Sequence, residues 1–152
     1  MKSKTVRVSS YFPASADIIW EKLQHIETLQ YIAAPYALFD PAGNGLMVWK
    51  AGETFQFHLK IFGILPMGIH TINVAQFDRA TLTVYTNENN KSVPVWNHRI
   101  MLKQESAGRT YYTDEVEINA GWKTQFVYLW SKAFYKHRQR KWLRLLMYKA
   151  MT

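Results

Sequence analysis

Cysteine is absent from all 152 residues, which removes disulfides, cysteine-based zinc sites and thiol nucleophiles together. The lack fits a reducing compartment, and a cytoplasmic location is the expectation. Long hydrophobic runs are missing too. The most apolar stretch, residues 61–69, contains Gly63, Pro66 and Gly68 and is far shorter than the ~20 residues of a membrane-spanning helix. Residues 1–10 hold charges and no apolar run of the kind a signal peptide needs. The Asn90-Lys91-Ser92 sequon is therefore expected to stay unused. Acidic residues are scarce: 11 Asp and Glu stand against 19 Lys and Arg, a net charge of +8. Repeats, low-complexity tracts and linkers are lacking. So are a glycine-rich phosphate loop ahead of a helix, a Gly-x-Ser-x-Gly elbow, a His-Glu-x-x-His pair and any obvious paired carboxylates. Gly43-Asn44-Gly45 leads towards a strand and reads as a turn. No cofactor and no metal is expected.

Rings are abundant. Aromatic residues make up 15% and hydrophobic residues 48% of the chain, a composition for a folded core in one domain spanning 1–152. Large rings pack cores and also line apolar cavities, and composition alone allows both.

Val6 and Val8 alternate with polar neighbours ahead of Tyr11-Phe12, a short strand that Pro13 ends. Ser15 is a candidate helix cap, followed by Ile19, Trp20 and Leu23 at helical spacing. A second short helix covers 27–32 and Pro35 closes it. The cluster from Asp40 to Gly45 predicts a turn, and Met47–Trp49 a strand. Phe55, Phe57, Leu59 and Ile61 alternate with polar residues in the clearest strand of all. Further strands are predicted over about 67–77, 81–86, 93–103 and 109–119, with Asn87–Asn90 as a polar loop. From Trp122 to Thr152 no Pro or Gly interrupts a helical pattern, giving about 28 helical residues, or roughly 42 Å at 1.5 Å each. A sheet must curl around such a helix to cover it.

Period-two alternation assigns an inner face holding Val6, Val8, Phe55, Phe57, Leu59, Ile72, Val74, Leu82, Val84, Trp96, Ile100, Leu102, Val116 and Ile118. The same parity places His70, His98, Tyr112 and Asp114 inward, and buried polar groups must find partners. A three-residue turn at Glu105–Ala107 pairs residues whose numbers sum to 212, setting His98 opposite Asp114 within hydrogen-bonding reach. Such a pair can tie strands together, orient a ligand, or serve as a general base with its orienter, with Tyr112 as a possible donor. His70 is a satisfied or rim histidine, or a polar group aimed at a ligand head. On the long helix Trp122, Phe126, Trp130, Phe134 and His137 are expected to face the sheet, with Phe126 and Trp130 lining any cavity.

The order strand, two helices, six strands, long helix resembles the SRPBCC superfamily, which includes START-like, polyketide cyclase-like and birch-pollen-allergen-like domains. Tyr11-Phe12-Pro13-Ala14-Ser15 with Ala16–Trp20 is similar to the family's opening strand and helix. Trp96–Ile100 and Tyr112–Ile118 resemble its last strand pair, and Phe134–Arg138 its late His-Arg stretch. The resemblance implies a helix-grip α+β fold: a seven-stranded curved antiparallel sheet around a long C-terminal helix, with two short helices after the first strand. It also implies a cavity between sheet and helix, but no single activity.

Three readings follow. The chain binds an apolar small molecule or lipid without catalysis, through Phe55, Phe57, Leu59, His70, Ile72, Trp96, His98, Asp114, Phe126 and Trp130. Alternatively it is a cyclase- or dehydratase-like enzyme using His98 and Asp114. In the third, the cations Lys136, Arg138, Arg140, Lys141 and Arg144 meet RNA, other nucleic acid, lipid or an acidic protein. Trp142 and Tyr148 interleave with those charges as in some nucleic-acid or membrane-surface helices. Cations late in a helix also simply suit its dipole.

Overall fold

The computed structural model describes residues 2–43, 45 and 47–150, the side chains of 149 and 150 excepted. Asn44 of the predicted turn and residues 151–152 of the predicted helix lie outside these. The elements are β1 (Lys4–Phe12), α1 (Ala16–Leu23), α2 (Ile26–Ala33), β2 (Ala37–Pro41), β3 (Thr54–Ile61), β4 (Leu65–Asp78), β5 (Thr83–Asn89), β6 (Val95–Ser106), β7 (Arg109–Asn119) and α3 (Thr124–Ala150), the last preceded by a 3-10 turn at Gly121–Lys123. All seven strands form one antiparallel sheet in the order β1-β7-β6-β5-β4-β3-β2. This is the helix-grip α+β fold.

Alternation builds the sheet. Phe55, Phe57 and Leu59 are buried while Thr54, Gln56, His58 and Lys60 are exposed. Ser15 caps α1, its hydroxyl accepting from the Ile18 N–H. Gly63 and Phe62 both have positive φ in the β3–β4 turn, a conformation that suits Gly and leaves the Phe62 side chain half out in solvent.

Helix α3 lies across the sheet and joins two apolar clusters. Phe57, Val116, Ile118, Phe134 and Tyr135 sit in one. Phe12, Ile19, Trp20, Tyr112, Trp142 and Leu146 sit in the other. Trp142 is fully buried, with its ring 5.8 Å from Phe12 and 5.7 Å from Tyr112.

The structure corrects several boundaries. Met47–Trp49 is not a strand; the strand before β3 is Ala37–Pro41, so Asp40 and Pro41 belong to it rather than to the turn. Asn87, Glu88 and Asn89 continue β5 instead of forming a loop. Leu82 sits half-buried in the β4–β5 turn with φ of 53°. Trp122, in the 3-10 turn ahead of α3, is 82% exposed and Phe126, on α3, is 75% exposed, so the first two rings of the expected stripe point away from the core. Each four-residue step overshoots a full turn by about 40° at 3.6 residues per turn. Counting back from buried Phe134, Phe126 has swung about 80° off the inner face, and Trp122 precedes the α-helix altogether.

The basic segment is corrected too. Arg138 is buried, as is Trp142. Lys141 is half-buried, donating from Nζ to the Ala34 carbonyl at 3.1 Å and standing 4.1 Å over the Tyr31 ring. Burial, with Arg144 nearby, lowers its pKa. Only Lys136, Arg140 and Arg144 of the five cations are exposed, so the segment does not present one continuous basic and aromatic surface. No helix among the described residues is long and apolar enough to cross a membrane.

Candidate ligand cavity and its polar array

Between the inner face of the sheet, α2 and α3 lies a cavity of about 220 Å3. Most of its wall is apolar: Leu29 and Ile32 from α2, Leu59 and Ile72 from the sheet, Val93 ahead of β6, and Trp96, Trp130 and Phe134. Phe126 and Val127 reach its edge from the first turns of α3, with Leu65 and Met67 from β4. Drug-sized pockets run to roughly 300–1,000 Å3, so this space suits a smaller molecule.

Polar side chains converge on one part of that wall. His70, Thr86, Glu88, Asn90, His98 and Arg138 all line the cavity. All but Arg138 belong to buried hydrogen bonds that cross five strands and α3. The Asn90 carbonyl oxygen accepts from the backbone N–H of Ser92 and Val93, both at 2.9 Å. Its amide nitrogen therefore donates to His70 Nδ1 at 2.9 Å. That leaves the His70 proton on Nε2, from which it is donated to Glu88 Oε1 at 2.8 Å. Thr86 donates to the other Glu88 oxygen at 2.6 Å.

His98 Nε2 donates to Asp114 Oδ1 at 2.6 Å, and Gln139 Nε2 donates to Asp114 Oδ2 at 3.0 Å. Gln139 also donates to the Val8 carbonyl at 2.7 Å and accepts from Ser10 at 2.5 Å. His98 Nδ1 is 3.9 Å from Glu88 Oε2, too far for a hydrogen bond. The Asp114 carboxylate thus fixes one nitrogen of His98, and the other is not held by Glu88. Separately, the Trp96 indole donates to the Tyr135 hydroxyl at 2.9 Å.

Environment sets the charges. Burial pushes the Glu88 carboxyl up, but the hydrogen bond and attraction of His70, the field of His98 and the Thr86 hydroxyl outweigh it, and the net direction is down. Burial raises the Tyr112 and Tyr135 hydroxyls well above their ordinary value, so both stay neutral. Burial works against the charge on Arg138, while Tyr135, Asp114, Tyr112 and Glu88 favour it and prevail.

A carboxylate whose pKa is lowered by folding stabilises the folded state above the ordinary carboxylate range and loses that contribution as pH falls. Glu88→Gln should cost about 1–3 kcal/mol at pH 7 by disturbing a buried acceptor. The gap between wild type and variant should narrow below the ordinary Glu value of 4.5, when urea unfolding is followed from pH 7 to pH 3. A gap that stays constant would mean that Glu88 carries no such charge.

Of the residues expected at the site, Leu59, His70, Ile72, Trp96, His98, Phe126 and Trp130 line the cavity, although Phe126 is largely solvent-exposed. Phe55, Phe57 and Asp114 do not; they are packed behind the wall. Tyr112 is buried against Phe12 and Trp142, away from the cavity. The expected register is off by two: Ile100 pairs with Asp114 and His98 with Val116. The His98–Asp114 contact forms nonetheless, because residues two apart share a face and diagonal neighbours stay within reach of long side chains. Glu88, Thr86, Gln139 and Arg138 as a wall residue were missed. Glu88 had a signal: Val84, Thr86 and Glu88 keep the inward parity that Tyr85 and Asn87 interrupt. Among the described residues no group of three or more His, Cys, Asp and Glu could hold a metal ion.

Residues 10–146 match the model of a domain of unknown function, DUF8410. No curated protein matches the sequence. Solved structures with this fold include a START superfamily protein from Mycobacterium smegmatis, 11% identical over 97% of this chain and 99% of its own, with a TM-score of 0.74. Zhui aromatase/cyclase from Streptomyces sp. R1128 is 15% identical over 98% of this chain and 94% of its own, with a TM-score of 0.64. Norcoclaurine synthase from Thalictrum flavum, solved with dopamine and hydroxybenzaldehyde, is 13% identical over 95% of this chain and 87% of its own, with a TM-score of 0.68. At these identities the likeness is one of fold.

Proposed function

For a chain that belongs to the DUF8410 family and has the helix-grip fold of the SRPBCC superfamily, we propose that it binds a small apolar molecule in the cavity between sheet and α3. The observation that carries this reading is the cavity itself. It occupies about 220 Å3, and its apolar wall carries one patch of organised polar groups. Apolar walls with a few fixed polar groups are what small-molecule sites need. Packing that was merely imperfect would not gather His70, Glu88, His98 and Arg138 on the same void. Three tryptophans, Trp49, Trp96 and Trp130, line it. Titration with a panel of compact apolar compounds should therefore produce saturable, mutually competitive changes in tryptophan emission. Changes that are linear and non-competitive for every compound would sink the reading.

A second reading is catalysis, and the state of His98 favours it. Its Nε2 is fixed by Asp114 while Nδ1 is not held by Glu88. A carboxylate that fixes one imidazole nitrogen leaves the other as a base. The neighbours named as aromatase/cyclase and norcoclaurine synthase carry out chemistry on this fold. If His98 acts as a base, His98→Ala should lower turnover of a bound substrate by 10²-fold or more while its affinity changes little. Equal losses in both would leave His98 as a binding residue only.

A further inference from the structure

Among the described residues, Arg138 is the one charged side chain on the cavity wall with no hydrogen-bonded partner. The other charge there, Glu88, has both oxygens occupied, by His70 and Thr86. Behind the wall, both Asp114 oxygens are taken by His98 and Gln139. Neither carboxylate forms an ion pair with the guanidinium. Arg138 is only 5% exposed, and its Nε–H is buried with no hydrogen-bond partner. Its described neighbours on α3 are ring faces: Phe134 at 5.6 Å and Tyr135 at 5.1 Å from the guanidinium carbon. These rings steady the cation from one side but offer nothing to its in-plane N–H groups. A buried charge without partners is costly to the fold.

We propose that Arg138 is the anchor for a ligand carboxylate, so that the cavity takes a compact apolar acid rather than a neutral hydrocarbon or alcohol. This rests on the cavity reading above and names its ligand class. A guanidinium presents parallel N–H donors that match the two oxygens of a carboxylate. The Phe134 and Tyr135 rings hold the guanidinium in place at the wall. The rest of the ligand then lies along Ile72, Trp96 and Trp130. Glu88 and Asp114 favour the charged state of Arg138 through space, and their own oxygens are engaged elsewhere, so the guanidinium N–H groups remain for a ligand. At roughly 30 Å3 for a water-sized group, the space holds roughly seven non-hydrogen atoms. The shorter medium-chain acids come closest to that size.

The test pairs each acid with the alcohol of the same carbon skeleton, from six to twelve carbons and including 3-phenylpropanoate with 3-phenylpropan-1-ol. Isothermal titration at pH 7 gives Kd for wild type, Arg138→Met and Arg138→Lys. Wild type should prefer the acid of the best pair by about ten- to a hundredfold, the range of a charge-assisted hydrogen bond. Arg138→Met should erase that preference while holding the alcohol within a few-fold of wild type, which also shows that the variant is folded. Arg138→Lys should keep part of it. Equal wild-type affinity for acid and alcohol overturns the anchor and leaves the cavity reading standing. An acid preference that survives Arg138→Met also overturns it. Failure of every acid and every alcohol to bind overturns both.

Discussion

Asp114→Ala should destabilise the domain by about 2–6 kcal/mol, since two buried donors each lose their acceptor at about 1–3 kcal/mol apiece. The reason lies in how many elements meet at that carboxylate. Asp114 is on β7 and is 1% exposed. One oxygen holds His98 of β6, and the other holds Gln139 of α3, which in turn clasps Val8 and Ser10 of β1. Alanine would leave the His98 Nε2–H and a Gln139 N–H pointing at a methyl group in a dry interior. Gln139 cannot turn to compensate, because its own oxygen already accepts from Ser10. Asp114→Asn should cost less, since one amide oxygen still accepts from His98 while the amide nitrogen opposes the Gln139 donor. Urea unfolding followed by tryptophan emission measures both. A loss below about 1 kcal/mol for Asp114→Ala, the size of one ordinary net hydrogen bond, would mean that the array is not holding the helix on the sheet.

The second large effect concerns space rather than charge. Val93→Trp puts an indole into the cavity from the segment ahead of β6, where Val93 is 5% exposed. The side chain fills volume that a ligand would need, so affinity for the best ligand should fall at least a hundredfold. Stability should not fall with it, because filling a pre-existing void recovers contacts that the empty space forgoes. A tightly packed interior would respond in the opposite way, losing about 1–3 kcal/mol to overpacking. The two observations together, lost binding with retained stability, separate a working cavity from an ordinary core.

Much of this architecture can be read from alternation alone. Phe55, Phe57 and Leu59 declare the inner face of β3, and the uninterrupted stretch after Gly121 declares the gripping helix. His70, His98 and Asp114 come to the inner face by parity, which survives errors of register by an even number. The predicted register was such an error. It assumed a three-residue turn, whereas Ser106 pairs with Arg109 across Ala107-Gly108 and an irregularity between Gln104 and Ser106 shifts the ladder. Turn type and bulges depend on local dihedrals that polar residues such as Gln104-Glu105-Ser106 do not specify.

What stayed hidden has physical causes of the same kind. Glu88 was masked by its neighbours: Asn87, Asn89 and Asn90 spell a loop in any propensity scale, and only tertiary pairing with β4 and β6 makes Asn87–Asn89 a strand. Phe126 was misplaced because a four-residue spacing drifts about 40° per step and leaves the helix face by the second, and Trp122 because it lies in the 3-10 turn ahead of α3. Arg138 was hidden among cations. Lys136 and Arg140, two residues to either side, are exposed, and only the angle around α3 sends the residue between them inward beside Gln139.

The most direct measurement is native mass spectrometry of the protein isolated gently from its own host. The account predicts a population carrying one bound organic molecule of low mass, absent from the Val93→Trp variant prepared in the same way. The bare mass alone from the wild type, joined by no adduct after incubation with compact apolar compounds, would contradict it.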